Sequence, residues 1–257
     1  LEDELRSPLF DRHSRGVSLT AAGRRLLPYA VRITQLLRDA RHATQDDGTP
    51  KGSLTIGSLE STAALRLSPV LTAYVAKYPQ VDLVLKTGTT RELIGDVLEH
   101  RLEGAFICGP IDHPELETEV IVREDLVLLT SPAVISFDSL LNKGELKIIV
   151  LRAGCSYRQR LEHILAKRGV VAVRQLEFGT LEAVISCVAA GLGVTLLPRA
   201  LIGHIWRDRQ VGVHDLPSSE AIAETLFVRR RDGFISSALS AFLELVRPAQ
   251  VRMEAAE

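Results

Sequence analysis

Cysteine is scarce in this chain, with three among 257 residues. Cys108, Cys155 and Cys187 are odd in number and widely spaced, so no disulfide framework is implied and a reducing cytoplasm fits. Cys155 precedes an expected helix start, where a thiol pKa can fall. Even so, nothing in the sequence brings it near Cys187, and the expected state is a capping or buried thiol. The histidines (His13, His42, His100, His113, His163, His204 and His214) do not pair with each other or with cysteine at a metal-ligand spacing. A G-x-S-x-G elbow and a phosphate-binding lysine loop are also missing, so catalysis has no constellation to stand on and no cofactor or metal is expected. Long apolar runs are lacking too. The stretches 126–129 and 148–151 are far too short to cross a bilayer, and the acidic opening Leu1-Glu2-Asp3-Glu4 has no signal-peptide character. Net charge is also close to absent, at −1, so any contact with nucleic acid must be local. What remains is a 46% apolar, 25% charged composition, ordinary for one or two globular domains.

The local charge lies at the front. Leu1, Leu5 and Leu9-Phe10 keep a helical apolar period, and 10–19 read as two short strands turned over at Ser14-Arg15-Gly16, where Gly16 supplies positive φ. Thr20 is a good N-cap for a helix over 20–44 with Leu26, Leu27, Tyr29, Ile33, Leu36 and Leu37 on one stripe. From Leu5 to Arg38, Arg6, Arg12, Arg15, Arg24, Arg25, Arg32 and Arg38 face Asp11 alone. An arginine-bearing hairpin tip beside such a helix suits phosphate oxygens, which fix register without reading sequence. A helix this long without a core of its own wants a partner helix, hence a dimer.

Leu1-Glu2-Asp3-Glu4-Leu5, Pro8-Leu9-Phe10-Asp11-Arg12 and Gly16-Val17-Ser18-Leu19-Thr20-Ala21-Ala22-Gly23 together resemble the end of the winged helix-turn-helix of LysR-type transcriptional regulators. The resemblance makes 1–19 the end of the recognition helix and the wing, and 20–51 the linker helix and hinge. It implies DNA-backbone contacts from Arg12, His13, Arg15 and Arg24. It also implies that the first helix, the turn and most of the recognition helix lie upstream of Leu1, so the chain is expected to be an N-terminally truncated fragment whose parent binds DNA.

After the polar, glycine-bearing stretch 45–52, the pattern alternates strand and helix. Strands are expected at 54–57, 81–86, 104–108, 117–123 and 125–130, with helices at 61–77 and 90–102. The cycle repeats with strands at 147–151, 173–178 and 194–197 and helices at 156–168 and 180–190. A strand at 224–229 and a helix at 234–246 close the chain. Two such repeats argue for two parallel-sheet α/β lobes, with crossings near 130–132 and 221–225. Gly191-Leu192-Gly193 follows a helix and precedes a strand, the reverse of a dinucleotide loop, so a helix C-cap is the better reading. The plan is similar to periplasmic solute-binding proteins and to LysR-type effector domains, and Gly52-Ser53-Leu54-Thr55-Ile56-Gly57 and Ala189-Ala190-Gly191-Leu192-Gly193-Val194-Thr195-Leu196-Leu197-Pro198 are similar to family signatures. The fold class is thus α/β: a two-lobe, periplasmic-binding-protein-like effector domain over 52–250, preceded by a partial winged helix-turn-helix and a long linker helix. Lobe I takes about 52–130 and 225–250, and lobe II about 131–224.

In open α/β sheets ligands bind beyond strand C-termini, beside helix N-termini. Four strand ends enter helices through hydroxyl residues: Ser61, Thr89, Ser156 and Thr180. Singly each is an ordinary cap. The resemblance implies that all four line the effector cleft. Arg66, Arg91 and Arg158 could hold a carboxylate there, whereas Glu60 and Glu182 would repel one, leaving organic acids and zwitterionic or amine-bearing compounds both open. The reading is a cytoplasmic regulator, not an enzyme, binding a small-molecule effector and, by family analogy, RNA polymerase and an inverted-repeat promoter as a homodimer or homotetramer. A solute-binding protein without DNA function is the alternative, and a deaminase-like enzyme on the same scaffold is a third reading.

Overall fold

The computed structural model describes residues 1–14, 16–137, 140, 146–151, 154–170, 173–205 and 211–254. A short helix α1 (Glu2–Leu5) leads into a hairpin of β1 (Phe10–His13) and β2 (Gly16–Leu19), paired antiparallel from Phe10↔Leu19 to His13↔Gly16. The Glu2 carboxylate accepts the backbone N–H groups of Leu9 and Phe10, tying the helix to the hairpin and holding that carboxyl below its usual range. Thr20 then caps α2 (Ala21–Gln45) as its sequence demands: its Oγ1 accepts from Gly23 N at 3.0 Å and donates to Pro8 O at 2.7 Å. Along this rod Leu27, Tyr29, Ile33, Leu36 and Leu37 are each about half exposed or more, so the apolar stripe is not covered by the rest of the chain.

The body is an α/β fold whose strands form a seven-stranded sheet and a separate two-stranded one. β3 (Gly52–Ser58) lies between β4 (Val81–Thr87) and β5 (Gly104–Cys108), all parallel. β5 pairs antiparallel with β11 (Ile222–Arg230), which pairs antiparallel with β6 (Leu116–Thr130). One face of this sheet packs on α3, a continuous helix of Glu60–Thr62, a π turn at Ala63–Leu67 and Ser68–Lys77, and on α9 (Ser237–Glu254). There Tyr74, Phe106, Phe227 and Phe242 stack edge to face, and Tyr74 Oη donates to Ala238 O at 2.8 Å. The other face carries α4 (Thr90–Leu98), which buries Leu93 and Val97. In the second lobe β7 (Leu146–Leu151) runs parallel to β8 (Val173–Phe178) and, through an Ile148–Val194 bridge, to the entry of β9 (Thr195–Pro198). The helices α5 (Ser156–Lys167), α6 (Leu181–Ala189), α7 (Arg199–Ile205) and the short α8 (Ser218–Ala221) accompany these strands, and β10 (Gly212–His214) pairs with β6.

The two lobes are therefore mixed rather than purely parallel, because β6 and β11 run in opposite directions between them. β6 is also one fifteen-residue strand where the sequence reads two. The expected break falls on Glu124, but that carboxylate is buried and held by Arg66, whose Nε and Nη2 donate to its two oxygens at 3.2 and 3.0 Å. A charge neutralised in this way can sit inside a strand. β6 pairs with β11 up to Asp125 and with β9 from Leu126, so its change of partner comes ahead of the crossing read at 130–132. The helix α7 and the short elements α8 and β10 have no counterpart in the sequence reading, α8 and β10 being too brief to show a period.

Candidate functional site at the lobe junction

The C-terminal ends of β3, β4 and β5 open toward the N-terminus of α5 from the second lobe. A cavity of about 50 Å³ lies between them, lined by Glu60, Ser61, Thr89, Cys108, Ser156 and Tyr157 with neighbouring backbone. That is room for only a few water molecules. Polar contacts cross the junction. Ser156 Oγ donates to Thr90 Oγ1 at 3.0 Å and reaches Cys108 O at 3.4 Å, Glu60 Oε1 accepts Leu181 N at 3.3 Å, and the buried Tyr157 hydroxyl shares a hydrogen bond with Ser61. Gly154, at φ 100°, brings the second lobe against α4: a Cβ there would lie 2.9 Å from Thr89 Oγ1, a clash in a conformation that L side chains avoid.

Of the four hydroxyl residues read from sequence, Ser61, Thr89 and Ser156 line this cavity and Thr180 does not, although its neighbour Gly179 does. Thr180 is an exposed N-cap whose Oγ1 accepts Ala183 N at 3.3 Å. Thr89 is bound into a capping box with Glu92, whereas Ser156 caps nothing and spends its hydroxyl across the cleft. Tyr157 escaped the sequence reading because an aromatic next to a helix start is usually core. Arg66, read as a carboxylate holder, holds Glu124, and Arg158 is engaged by Glu162 and Glu177. Burial pushes the Cys108 thiol up to about 11 and raises that of Cys155, the opposite of the fall a helix start can produce.

Beyond the Ser156–Thr90 contact the junction opens into a pocket of about 490 Å³ that includes Arg91, Arg160 and His163. The spacing of Ser156, Arg160 and His163 on one face of α5 is a signal the sequence reading passed over. A further pocket of about 450 Å³ lies where the rod meets the first lobe, with Asp39 and His42 of α2 beside His100, Glu103 and Arg230. His100 Nδ1 lies 3.5 Å from Asp39 Oδ2, and Asp46, at the end of the rod, accepts Ser237 N at 2.7 Å and Ser237 Oγ at 2.6 Å. Among the described residues, no three His, Cys, Asp or Glu side chains are grouped to hold a metal ion, and no helix is long and apolar enough to cross a membrane.

On the hairpin, Arg12 and His13 are exposed, with His13 Nε2 3.1 Å from Ser18 Oγ. Arg24 donates to Leu19 O at 2.7 Å and so braces the hairpin on the rod. Arg15 lies outside the described residues.

The family model of the LysR substrate binding domain matches residues 47–250. The chain is 43% identical over 247 residues to the HTH-type transcriptional regulator GltR of Bacillus subtilis, covering 96% of this chain and 83% of that protein. It is 38% identical over 246 residues to the HTH-type transcriptional regulator CzcR of Bacillus cereus, with 96% and 84% covered. Among solved structures, a full-length OxyR variant from Pseudomonas aeruginosa superposes with a TM-score of 0.66 at 18% identity over 96% of this chain and 81% of its own, and full-length CbnR in complex with its target DNA with 0.57 at 20% over 97% and 86%. These relatives are named as regulators rather than as enzymes or solute carriers, and the likeness extends through the hairpin and rod as well as the two lobes. The chain belongs to the LysR family of transcriptional regulators, whose DNA-binding function is governed through an effector-binding domain.

Proposed function

We propose that the effector of this regulator binds where Ser61, Thr89 and Ser156 converge, with Thr180 at the rim, and that it acts by resetting the contact between α4 and the rod. The division that goes with this is the end of the recognition helix and the wing at 1–19, a linker helix and hinge at 20–51, and an effector domain over 52–250 whose lobes take about 52–130 with 225–250 and about 131–224. The observation that carries the reading is the course of α4. Its N-terminus, at Thr89 and Thr90, faces Ser156 across the cleft, and its C-terminal turn ends at His100, which meets Asp39 on α2. Nine residues of helix span about 13 Å as a stiff strut. A ligand that replaces the Ser156–Thr90 hydrogen bond moves one end of that strut, and the other end bears on the rod. Binding shifts a population only by its differential affinity for the two lobe arrangements.

The uncovered stripe of α2 supports a homodimer or homotetramer, in which paired rods set the spacing of paired DNA heads on an inverted repeat. Arg12, His13, Arg15 and Arg24 supply backbone contacts or brace the hairpin that makes them. RNA polymerase is the further partner, and the cytoplasm is the compartment in which such a protein meets its promoter. The test is thermal denaturation of the chain across a metabolite panel, repeated on Ser61→Ala and Ser156→Ala. A compound that stabilises the wild type should lose that effect in both variants; full retention in both refutes the site.

A further inference from the structure

We propose that the 490 Å³ pocket beyond the Ser156–Thr90 contact is the anion-recognising part of the effector site, and that it takes the carboxylate of a small organic acid on Arg91 and Arg160. This rests on the cleft being the effector site and narrows what enters it. The pocket is built from both lobes: Thr90 and Arg91 come from the first turn of α4, and Ser156, Gln159, Arg160 and His163 from one face of α5. Among the described residues, no aspartate or glutamate lines it. That contrasts with the small cavity on the other side of the contact, where Glu60 stands without a lysine or arginine among the lining residues.

The two arginines are also unspent. Neither Arg91 nor Arg160 takes part in an ion pair among the described residues, whereas Arg66, Arg158 and Arg168 nearby are matched to Glu124, Glu162 and Glu220. Arg160 is positioned rather than neutralised. Its Nη1 donates to Ile222 O at 2.5 Å and reaches Glu220 O at 3.4 Å, which anchors one edge of the guanidinium on the β11 entry and leaves its charge uncancelled. Arg91 is exposed, and its Cβ lies 3.1 Å from where a side chain at Gly154 would begin, so the approach of the second lobe brings it to the pocket wall. A guanidinium fork matches a carboxylate in two parallel N–H···O bonds. Hydroxyl groups of Thr90 and Ser156 and the Gln159 amide supply the neutral donors that such a ligand needs beside its charge. Because one arginine belongs to each lobe, a carboxylate held by both links the lobes directly, which gives the acid its hold on their relative position.

The test uses the whole chain in isothermal titration with succinate, inorganic phosphate and putrescine at matched ionic strength, on wild type, Arg91→Gln, Arg160→Gln and Ser61→Ala. Circular dichroism checks that each variant is folded, and exposed Arg91, which makes no ion pair among the described residues, is the variant least able to disturb the fold. Succinate is expected to bind the wild type, and each arginine variant to weaken it about tenfold or more, as the loss of a charge-assisted hydrogen bond requires. Succinate heats no larger than those of chloride, or unchanged in both arginine variants, overturn the proposal. Arginine-dependent binding of phosphate without succinate overturns the carboxylate assignment. Putrescine binding that falls in Ser61→Ala but ignores Arg91→Gln also overturns it while leaving the cleft as the effector site, so the two readings fail separately.

Discussion

Replacing Arg66 with methionine should cost this protein much of its stability, and the size of the loss follows from Glu124. The Arg66 and Glu124 side chains are 13% and 3% exposed and meet through two hydrogen bonds at 3.2 and 3.0 Å. Glu124 lies on β6 one residue before the strand leaves β11, so it cannot swing to solvent without breaking the ladder that joins the lobes. Arg66→Met therefore strands a carboxylate in the junction. Breaking a buried pair from one side costs about 3–5 kcal/mol, a large part of the roughly 5–15 kcal/mol that holds a typical fold together. At about 2–4 °C per kcal/mol for a chain of this size, the melting point should drop by roughly 10 °C. The double variant Arg66→Met with Glu124→Met removes both charges and should recover most of the loss, since well-packed apolar replacements of buried pairs are often close to neutral. Urea denaturation followed by circular dichroism on the two single variants and the double variant closes the cycle. Single variants within about 0.5 kcal/mol of the wild type, or a double variant no better than the worse single, would refute the reasoning.

Two further outcomes are expected. Burial raises the Glu103 carboxyl from 4.5 to about 7 despite hydrogen bonds from Ser236 Oγ and the Thr55 backbone. A raised carboxyl pKa favours the protonated form in the folded state, so its contribution is full below about 4.5 and declines as pH climbs through 7, by about 2 kcal/mol in all for a group that is not fully enclosed. His100 acts with the opposite sign: burial and Arg230 lower its pKa despite Asp39, and its stabilising share is lost as pH falls below the ordinary histidine range. Since Asp39, His42, Arg101 and Arg230 also face this pocket, the informative quantity is the difference between wild type and Glu103→Gln, whose stability should fall less from pH 5 to pH 7.5; parallel curves contradict the assignment. Ile33→Glu with Leu37→Glu places two charges on the uncovered stripe of α2, where the side chains are 58% and 57% exposed. Sedimentation equilibrium should show an associated wild type and a monomeric variant of unchanged melting point, and an associated variant would remove α2 from the interface.

Much of this was legible from residue patterns, because local signals and tertiary demands agree in most elements. Thr20 caps the rod, and β5 begins and ends where its apolar run does, ahead of the Gly109-Pro110 turn. Glu124 shows the converse: a glutamate in an apolar run looks like a break until a distant arginine, 58 residues away, neutralises it. The cleft was half legible. Hydroxyl residues at helix starts mark it, but caps and ligand contacts share one residue preference, and only the structure shows that Thr180 caps at the surface while Ser156 reaches across. Arg160 was invisible because its role depends on Ile222 and Glu220, carbonyls that only the second crossing of the chain brings beside α5.

The most direct measurement is a reporter gene placed behind the regulator's own promoter, read in cells that carry the protein as wild type, Ser61→Ala or Ser156→Ala, alongside gel shifts of the same proteins. Both cleft variants should still bind the promoter fragment yet no longer change reporter output with growth conditions, because the strut from the cleft to the rod has lost its trigger. Cleft variants that bind DNA and switch the reporter as the wild type does would contradict it.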